Sequence, residues 1–219
     1  MKQLQTLLEF STAEISDALD SCGVEGALLQ ISTLLPGMKL AGPAYTVRYS
    51  AYAEKPDNFR AAADYIDEVP AQSVIIIDNN GRDDCTVWGD ILTQAALQQG
   101  IAGTVIFGAA RDVACIRELN YPVFCHSTYM RSGKNRVYKS DEQCPLTIQS
   151  ITINPGDIIF ADDNGVLVIP VQLLDDVLGK AKNIKRTEEK IVAAIKAGTP
   201  LAEARRQYQY DQPWLTCDD

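Results

Sequence analysis

The chain has 219 residues, enough for one large domain or two small ones, and a formal charge of −9 that argues against nucleic acid as a direct ligand. No apolar run approaches the roughly 20 residues of a membrane span, and the N-terminus lacks a signal-peptide core, so a cytoplasmic protein that binds neither membrane nor nucleic acid is expected. Six scattered cysteines (Cys22, Cys85, Cys115, Cys125, Cys144, Cys217) form no C-x-x-C pair, which argues against a zinc site or a disulfide framework and for buried or inert thiols.

In chain order, Ser11-Thr12-Ala13-Glu14 has the spacing of a capping box, and Ile15, Ala18 and Leu19 continue a helical stripe that Cys22-Gly23 ends. Pro36-Gly37 predicts a turn. Gly42-Pro43-Ala44 leads into Tyr45-Thr46-Val47-Arg48-Tyr49, a strand by its β-branched and aromatic content. A helix is expected over 58–66, around Ala61, Ala62 and Ala63, with Pro70 stopping it. Val74-Ile75-Ile76-Ile77 predicts a buried strand that leaves the core through Asp78-Asn79-Asn80-Gly81. After Trp88-Gly89, the residues Ile91, Leu92, Ala95, Ala96 and Leu97 give a helix over 90–99, with Gly100 as its C′ residue. The next strand, Gly103-Thr104-Val105-Ile106-Phe107, runs into Gly108-Ala109-Ala110-Arg111-Asp112, a loop whose small residues let other atoms approach the backbone. Residues 74–112 therefore read as a βαβ unit, and such units carry ligands beyond the carboxyl ends of their strands.

A helix over 113–119 and the strand Tyr121-Pro122-Val123-Phe124-Cys125 come next. Residues 126–143 are polar, with Arg131, Lys134, Arg136 and Lys139 at irregular intervals, and read as an exposed loop. Short strands over 146–148, 151–153 and 157–161, and the turn Asp162-Asp163-Asn164-Gly165 before Val166-Leu167-Val168-Ile169, make this half mostly antiparallel. A long helix is expected over 171–197, broken near Lys182 and ended by Gly198; the tail with Tyr208, Tyr210 and Trp214 has no clear period.

The chemistry rests on carboxylates. His126, the one histidine, falls in the polar loop, which argues against Ser-His-Asp and multi-histidine metal chemistry, and no G-x-x-x-x-G-K-[ST] or G-x-G-x-x-G loop occurs. Asp90, Arg111 and Asp112 remain, all expected at the strand ends. Two carboxylates beside a guanidinium can hold a hard divalent ion through oxygen and water while the arginine grips an anionic oxygen. A buried Arg–Asp ion pair with Asp90 as helix N-cap fits the same residues, and the residues alone leave both readings open.

Twenty residues lie between Asp90 and Arg111, and Asp112 follows at once, giving D-x20-R-D. This pattern resembles the signature of the class II, divalent-metal-dependent pyruvate aldolases of the 4-hydroxy-4-methyl-2-oxoglutarate aldolase group, in the superfamily that includes regulator of ribonuclease activity A (RraA). Ser16-Asp17-Ala18-Leu19-Asp20, Trp88-Gly89-Asp90-Ile91-Leu92, Pro155-Gly156-Asp157 and Ala161-Asp162-Asp163-Asn164-Gly165-Val166 resemble further blocks, over about residues 11–198. The resemblance implies an RraA-like α/β sandwich of the swivelling phosphohistidine-domain type with a mixed sheet, as a single domain over 1–219 with a helical extension from about 171. It also implies a homotrimer or hexamer with sites between subunits.

The resemblance further implies roles. Asp112 would ligate Mg2+ or Mn2+ directly, waters filling most other positions. Arg111 would hold the keto oxygen as charge accumulates there in the pyruvate enolate. Gly89, Asp90, Ile91 and Leu92 would bind the substrate, the amides of Ile91 and Leu92 taking the pyruvyl carboxylate at the helix start. Asp90 would orient the water that acts as base on the 4-hydroxyl. Retro-aldol cleavage of 4-hydroxy-4-methyl-2-oxoglutarate, or a related 4-hydroxy-2-oxo acid, gives pyruvate and a second keto acid, and the same site decarboxylates oxaloacetate. A neighbouring subunit would contribute Glu188 or Glu189, which by periodicity alone read as solvated. Lys134 or Arg131 would grip the distal carboxylate, or remain solvated loop charges. Two other readings stay open. One is a non-catalytic regulator of ribonuclease E, a branch in which the carboxylate after the arginine is replaced, so that Asp112 favours the enzyme. The other is a related lyase acting on a different 2-oxo acid.

Overall fold

The computed structural model describes residues 2–54 and 64–215. Two helices open the chain, α1 (Lys2–Leu7) and α2 (Thr12–Ser21). The capping box starts the second: Ser11 N–H donates to Glu14 Oε2 at 2.6 Å, and Glu14 N–H to Ser11 Oγ at 3.2 Å. Short strands β1 (Ala27–Leu28) and β2 (Ser32–Thr33) precede the long β3 (Leu40–Ala51). Then come β4 (Val74–Asp78), β5 (Thr86–Trp88), α3 (Asp90–Gln98), β6 (Gly103–Ala110), α4 (Val113–Glu118) and β7 (Val123–Thr128). The remainder is β8 (Val137–Glu142), the hairpins β9 (Leu146–Ile148) with β10 (Ile151–Ile153) and β11 (Ile158–Asp162) with β12 (Gly165–Ile169), and the helices α5 (Leu174–Lys196) and α6 (Leu201–Gln207).

Among the described residues, ten strands join in one mixed sheet in the order β1-β12-β11-β3-β4-β6-β7-β2, with β5 added to β6 and β8 to β3. The neighbours β3, β4, β6 and β7 run parallel; β11, β12 and β8 extend the sheet antiparallel. This is the expected α/β fold with a mixed sheet. A parallel sheet must be covered on both faces, which is why Val74 to Ile77 is an unbroken apolar run, every residue buried. Ile75, Ile77 and Ile106 pack under α3 and α4 with Trp88, Ala96 and Ile116. Val74, Ile76, Val105 and Phe124 face the β9–β10 hairpin. Phe160, Leu167 and Ile169 form a third cluster with Ile15 and Leu19 of α2 and Val177 and Ile184 of α5.

Four expectations are corrected. Residues 108–110 are strand, not loop: Ala109 and Ala110 lie between Thr86 and Trp88 on one side and Ser127 and Thr128 on the other, so their small side chains serve inter-strand packing. The strand around 45–49 begins at Leu40. Pro43 sits opposite Ile158, and the parallel pairing with β4 starts one residue later, at Ala44. A Cβ on Gly42 would lie 2.4 Å from Gln72 O, so this glycine answers a close approach. Residues 126–143 are not one loop, because β7 continues to Thr128 and β8 pairs with β3; in β8 only Val137 is buried, which hides the strand's signature. Finally α5 is unbroken at Lys182, since Val177, Leu178, Ala181, Ile184 and Ile191 form a continuous buried stripe. The periodless tail contains α6. The expected helix over 58–66 falls largely outside the described residues, as does Cys217. No helix among the described residues is long and apolar enough to cross a membrane.

Candidate active site

The parallel strands β5 and β6 end side by side, with Trp88 opposite Ala110, so Gly89-Asp90 and Arg111-Asp112 leave the sheet together. Arg111 N–H donates to Trp88 O at 3.0 Å and pins the two exits to each other. Asp112 then turns through the left-handed region, φ 57° and ψ 37°, which aspartate enters more readily than most side-chain-bearing residues. It precedes α4, yet its side chain does not cap that helix. Instead Oδ2 accepts the Asp90 N–H at 3.2 Å and lies 3.3 Å from Arg111 Nε. Gly89 makes this possible: a Cβ there would lie 2.5 Å from Asp112 Oδ2 and 3.2 Å from Arg111 Nε. Its φ of −168° is ordinary extended backbone, so space is the requirement.

Gly89, not Asp90, is the N-cap of α3; Asp90 is the first helical residue, and its Oδ1 accepts the Ile91 N–H at 2.8 Å. The Arg111 and Asp112 side chains are 34% and 35% exposed. The ion pair is therefore not buried, and a pair this wet contributes at most about 1 kcal/mol to folding. Structural stabilisation alone does not account for three charged side chains gathered at an open strand end.

Asp90, Ile91, Leu92 and Arg111 line a cleft that Tyr49 and Trp88 share and that Ser132, Gly133 and Lys134 close from the other side. Asp112 lies beyond Arg111, in an adjoining hollow with Thr128, Tyr129 and Met130. Residues 131–134 are stitched to β5: Thr86 N–H donates to Arg131 O at 2.9 Å, and Gly133 N–H to Thr86 O at 2.9 Å. A Cβ on Gly133 would meet that same carbonyl at 2.6 Å. The stitching puts Lys134 on the cleft, whereas Arg131 lies 5.8 Å from the Tyr129 ring centre. Burial pushes the Tyr49 phenol well up, so it stays protonated at neutral pH.

Tyr49 and Thr93 were not legible as site residues. Thr93 is wholly buried on the inner side of α3; its hydroxyl accepts from Trp88 Nε1 at 2.9 Å and donates to Gly89 O at 2.9 Å. Nothing in helical spacing separates such a threonine from an ordinary core position. Glu188 and Glu189 are not brought to the cleft within one chain. They lie on α5 in a separate hollow with Glu14, Lys185 and Lys196, where burial, and then Glu14 and Asp17, push the Glu188 carboxyl up. His126 is outside the cleft too, its Nδ1 3.1 Å from Gln30 O and its ring edge-on to Phe107. The Cys85 and Cys125 thiols are buried, and burial pushes Cys125 up to about 11, as an inert thiol requires.

A family profile described as Aldolase/RraA, RraA-like, matches residues 12–168. Protein DlpA of Legionella pneumophila is 60% identical over 212 residues, which cover 97% of this chain but only 34% of that protein's length. A protein of Halalkalibacterium halodurans, provisionally named a 4-hydroxy-4-methyl-2-oxoglutarate aldolase, is 35% identical over 186 residues, covering 84% of each chain. Among solved structures, an uncharacterized protein of Pseudomonas syringae matches with a TM-score of 0.85 and 43% identity over 93% of this chain and 96% of that one. Streptomyces coelicolor RraAS2, described as an unusual member of the RNase ES inhibitor RraA protein family, matches with a TM-score of 0.77 and 26% identity over 86% of this chain and 94% of that one.

Proposed function

The chain belongs to the RraA-like, aldolase/RraA family, and from that premise we propose that it is a divalent-metal-dependent lyase. It cleaves 4-hydroxy-4-methyl-2-oxoglutarate, or a related 4-hydroxy-2-oxo acid, to pyruvate and a second keto acid, and decarboxylates oxaloacetate. The observation that carries this reading is the meeting of Asp90, Arg111 and Asp112 at the open head of α3.

The donor set suits one particular kind of cation. Among the described residues no three His, Cys, Asp or Glu side chains gather as a metal cage, which is not the closed set of a structural zinc site. Asp112 is partly exposed, and its Oδ1 takes no hydrogen bond among the described residues, Oδ2 being held by Asp90 N–H and Arg111. One carboxylate oxygen with water around it fits Mg2+ or Mn2+. When bound there, the cation supplies Lewis-acid polarisation of the keto oxygen.

The chain's own groups do the rest. Arg111 donates to the keto oxygen, where negative charge grows as the bond breaks, so its stabilisation is larger in the transition state than in the ground state. The amides of Ile91 and Leu92 at the head of α3 take the pyruvyl carboxylate. Ile91 N–H is held by Asp90 Oδ1 without substrate, so the carboxylate takes over that partner and frees Asp90. Asp90 then orients the water that removes the 4-hydroxyl proton. The C3–C4 bond breaks, its electron pair stays on C3 as the enolate, and the proton that the water took from the 4-hydroxyl is returned to C3, giving pyruvate. With oxaloacetate the same bond breaks and carbon dioxide leaves. Lys134 binds the distal carboxylate.

The deciding experiment measures pyruvate release from 4-hydroxy-4-methyl-2-oxoglutarate and from oxaloacetate, with Mg2+ and with EDTA, for the native chain and Asp112→Ala. Release from both substrates with Mg2+ only, reduced about 100-fold or more in the variant, is expected. Release from oxaloacetate alone points to a related decarboxylase. No release from either by a folded native chain overturns the lyase reading. The likeness to RraAS2 would then move ribonuclease regulation to first place.

A further inference from the structure

The peptide linking Gly89 and Asp90 is held at both ends. Its carbonyl oxygen accepts two hydrogen bonds from Thr93, one from the backbone N–H at 3.0 Å and one from the hydroxyl at 2.9 Å. Its N–H donates to Asp112 Oδ2 at 3.2 Å. A peptide unit is planar, so fixing the direction of the carbonyl fixes the direction of the N–H on its far side. The Thr93 hydroxyl is itself fixed, because it accepts the buried indole N–H of Trp88 at 2.9 Å and Trp88 stacks on Tyr121 with ring centres 6.1 Å apart. The hydroxyl's single donor is thus spent on Gly89 O, and one of its two acceptor lone pairs is taken by the Trp88 indole.

We propose that Thr93 is a positioning residue for the Asp112 carboxylate, acting through the peptide between Gly89 and Asp90; the inference rests on the reading of Asp112 as the cation's protein ligand. Holding that peptide aims the Asp90 N–H at Oδ2 and leaves Oδ1 for the cation. Outer partners of this kind orient a metal ligand and typically change metal affinity by about 10- to 100-fold when removed. A threonine hydroxyl bonded to the carbonyl four residues back is also common as a purely local feature of helices, so the test must read the carboxylate and not only the fold.

Thr93→Val keeps the side-chain volume and removes the hydroxyl. Mn2+ affinity by water-proton relaxation and the Asp90 amide resonance by 15N spectroscopy are the two readouts. In Thr93→Val the Asp90 resonance moves and Mn2+ binds about tenfold or more weakly, while Thr93→Ser restores both. Should the valine chain not fold, Thr93→Ala carries the same comparison. A lowered melting temperature with unchanged Mn2+ affinity and an unmoved Asp90 resonance overturns the inference, and the native chain's metal binding and pyruvate release still support the lyase. A native chain that neither binds Mn2+ nor releases pyruvate overturns the lyase reading and this inference together.

Discussion

Gly89 and Asp112 define each other. The carboxylate occupies the volume a Cβ would fill, at 2.5 Å, and the neighbouring Arg111 side chain leaves it little room to retreat. Gly89→Ala therefore pushes the carboxylate away from the Asp90 N–H. A displacement of about 1 Å at a catalytic group costs on the order of 100-fold in rate, so kcat/KM for pyruvate release falls by about that factor. The melting temperature stays close to native, because the lost contact is a partly exposed one. A Gly89→Ala chain with native kcat/KM would sink the assignment of Asp112. Lys134 is tested by its selectivity: Lys134→Ala raises KM for the substrate with a distal carboxylate about tenfold and leaves inhibition by a small mimic of the pyruvyl half, such as oxalate, unchanged. Equal weakening of both would mean that Lys134 acts on the common half. At this scale the sequence placed Asp90, Arg111 and Asp112 together at the strand ends, where the structure brings them. It did not reveal why Gly89 must be glycine, or that Lys134 and not Arg131 reaches the cleft, since both depend on atoms brought in from other elements.

Elements were legible where periodicity and local turn chemistry acted alone. The capping box of α2, the run from Val74 to Ile77 and the turn between β11 and β12 are of this kind. Strand β8 was hidden because only Val137 of its residues is buried, and the extension of β6 was hidden because Ala109 and Ala110 look like loop residues until flanking strands are placed. The hairpin turn carries a second role the sequence did not disclose. Asp162, buried at the end of β11, accepts the Thr12 N–H at 2.9 Å, the Thr12 hydroxyl at 2.6 Å and the Asn164 N–H at 2.9 Å, and so ties the first turn of α2 to the hairpin. Burial alone would push this carboxyl up, but the hydrogen bonds from Thr12 and Asn164 outweigh it and hold the carboxyl below its ordinary 3.8. A lowered folded-state value means stability that is present above 3.8 and lost as pH falls through that lower value. Asp162→Ala, which orphans these donors, should cost about 3 kcal/mol in urea unfolding at neutral pH. That deficit should shrink as the native chain is taken into acid below 3.8. A deficit independent of pH would mean that packing, not the charged acceptor, holds α2 to the hairpin.

For the whole molecule, the open question is how Glu188 and Glu189 relate to Asp112. The apolar stripe of α5 is spent on α2, β11 and β12, which fixes both glutamates over Glu14 and Lys185, away from the cleft of their own chain. Glu188 is crowded there by burial and by Glu14 and Asp17, so its raised carboxyl costs stability at neutral pH. No periodicity argument within one chain exposes a residue that serves a neighbour. If copies of the chain close into a ring, as the proposed reading requires, each site would take Asp112 from one copy and a glutamate from the next. Asp112→Ala and the double variant Glu188→Gln, Glu189→Gln are then each inactive alone, yet chains mixed before assembly complement one another. A site is intact when a copy with Asp112 meets a neighbour with native glutamates, which in random equal mixing happens for roughly a quarter of sites in a cyclic oligomer. Pyruvate release at about that fraction of the native rate is the expected result for co-refolded or co-expressed chains. Activity no greater than that of the two separate variants would confine each site to one chain, and the glutamates of α5 would then be surface charges of the α2–α5 face.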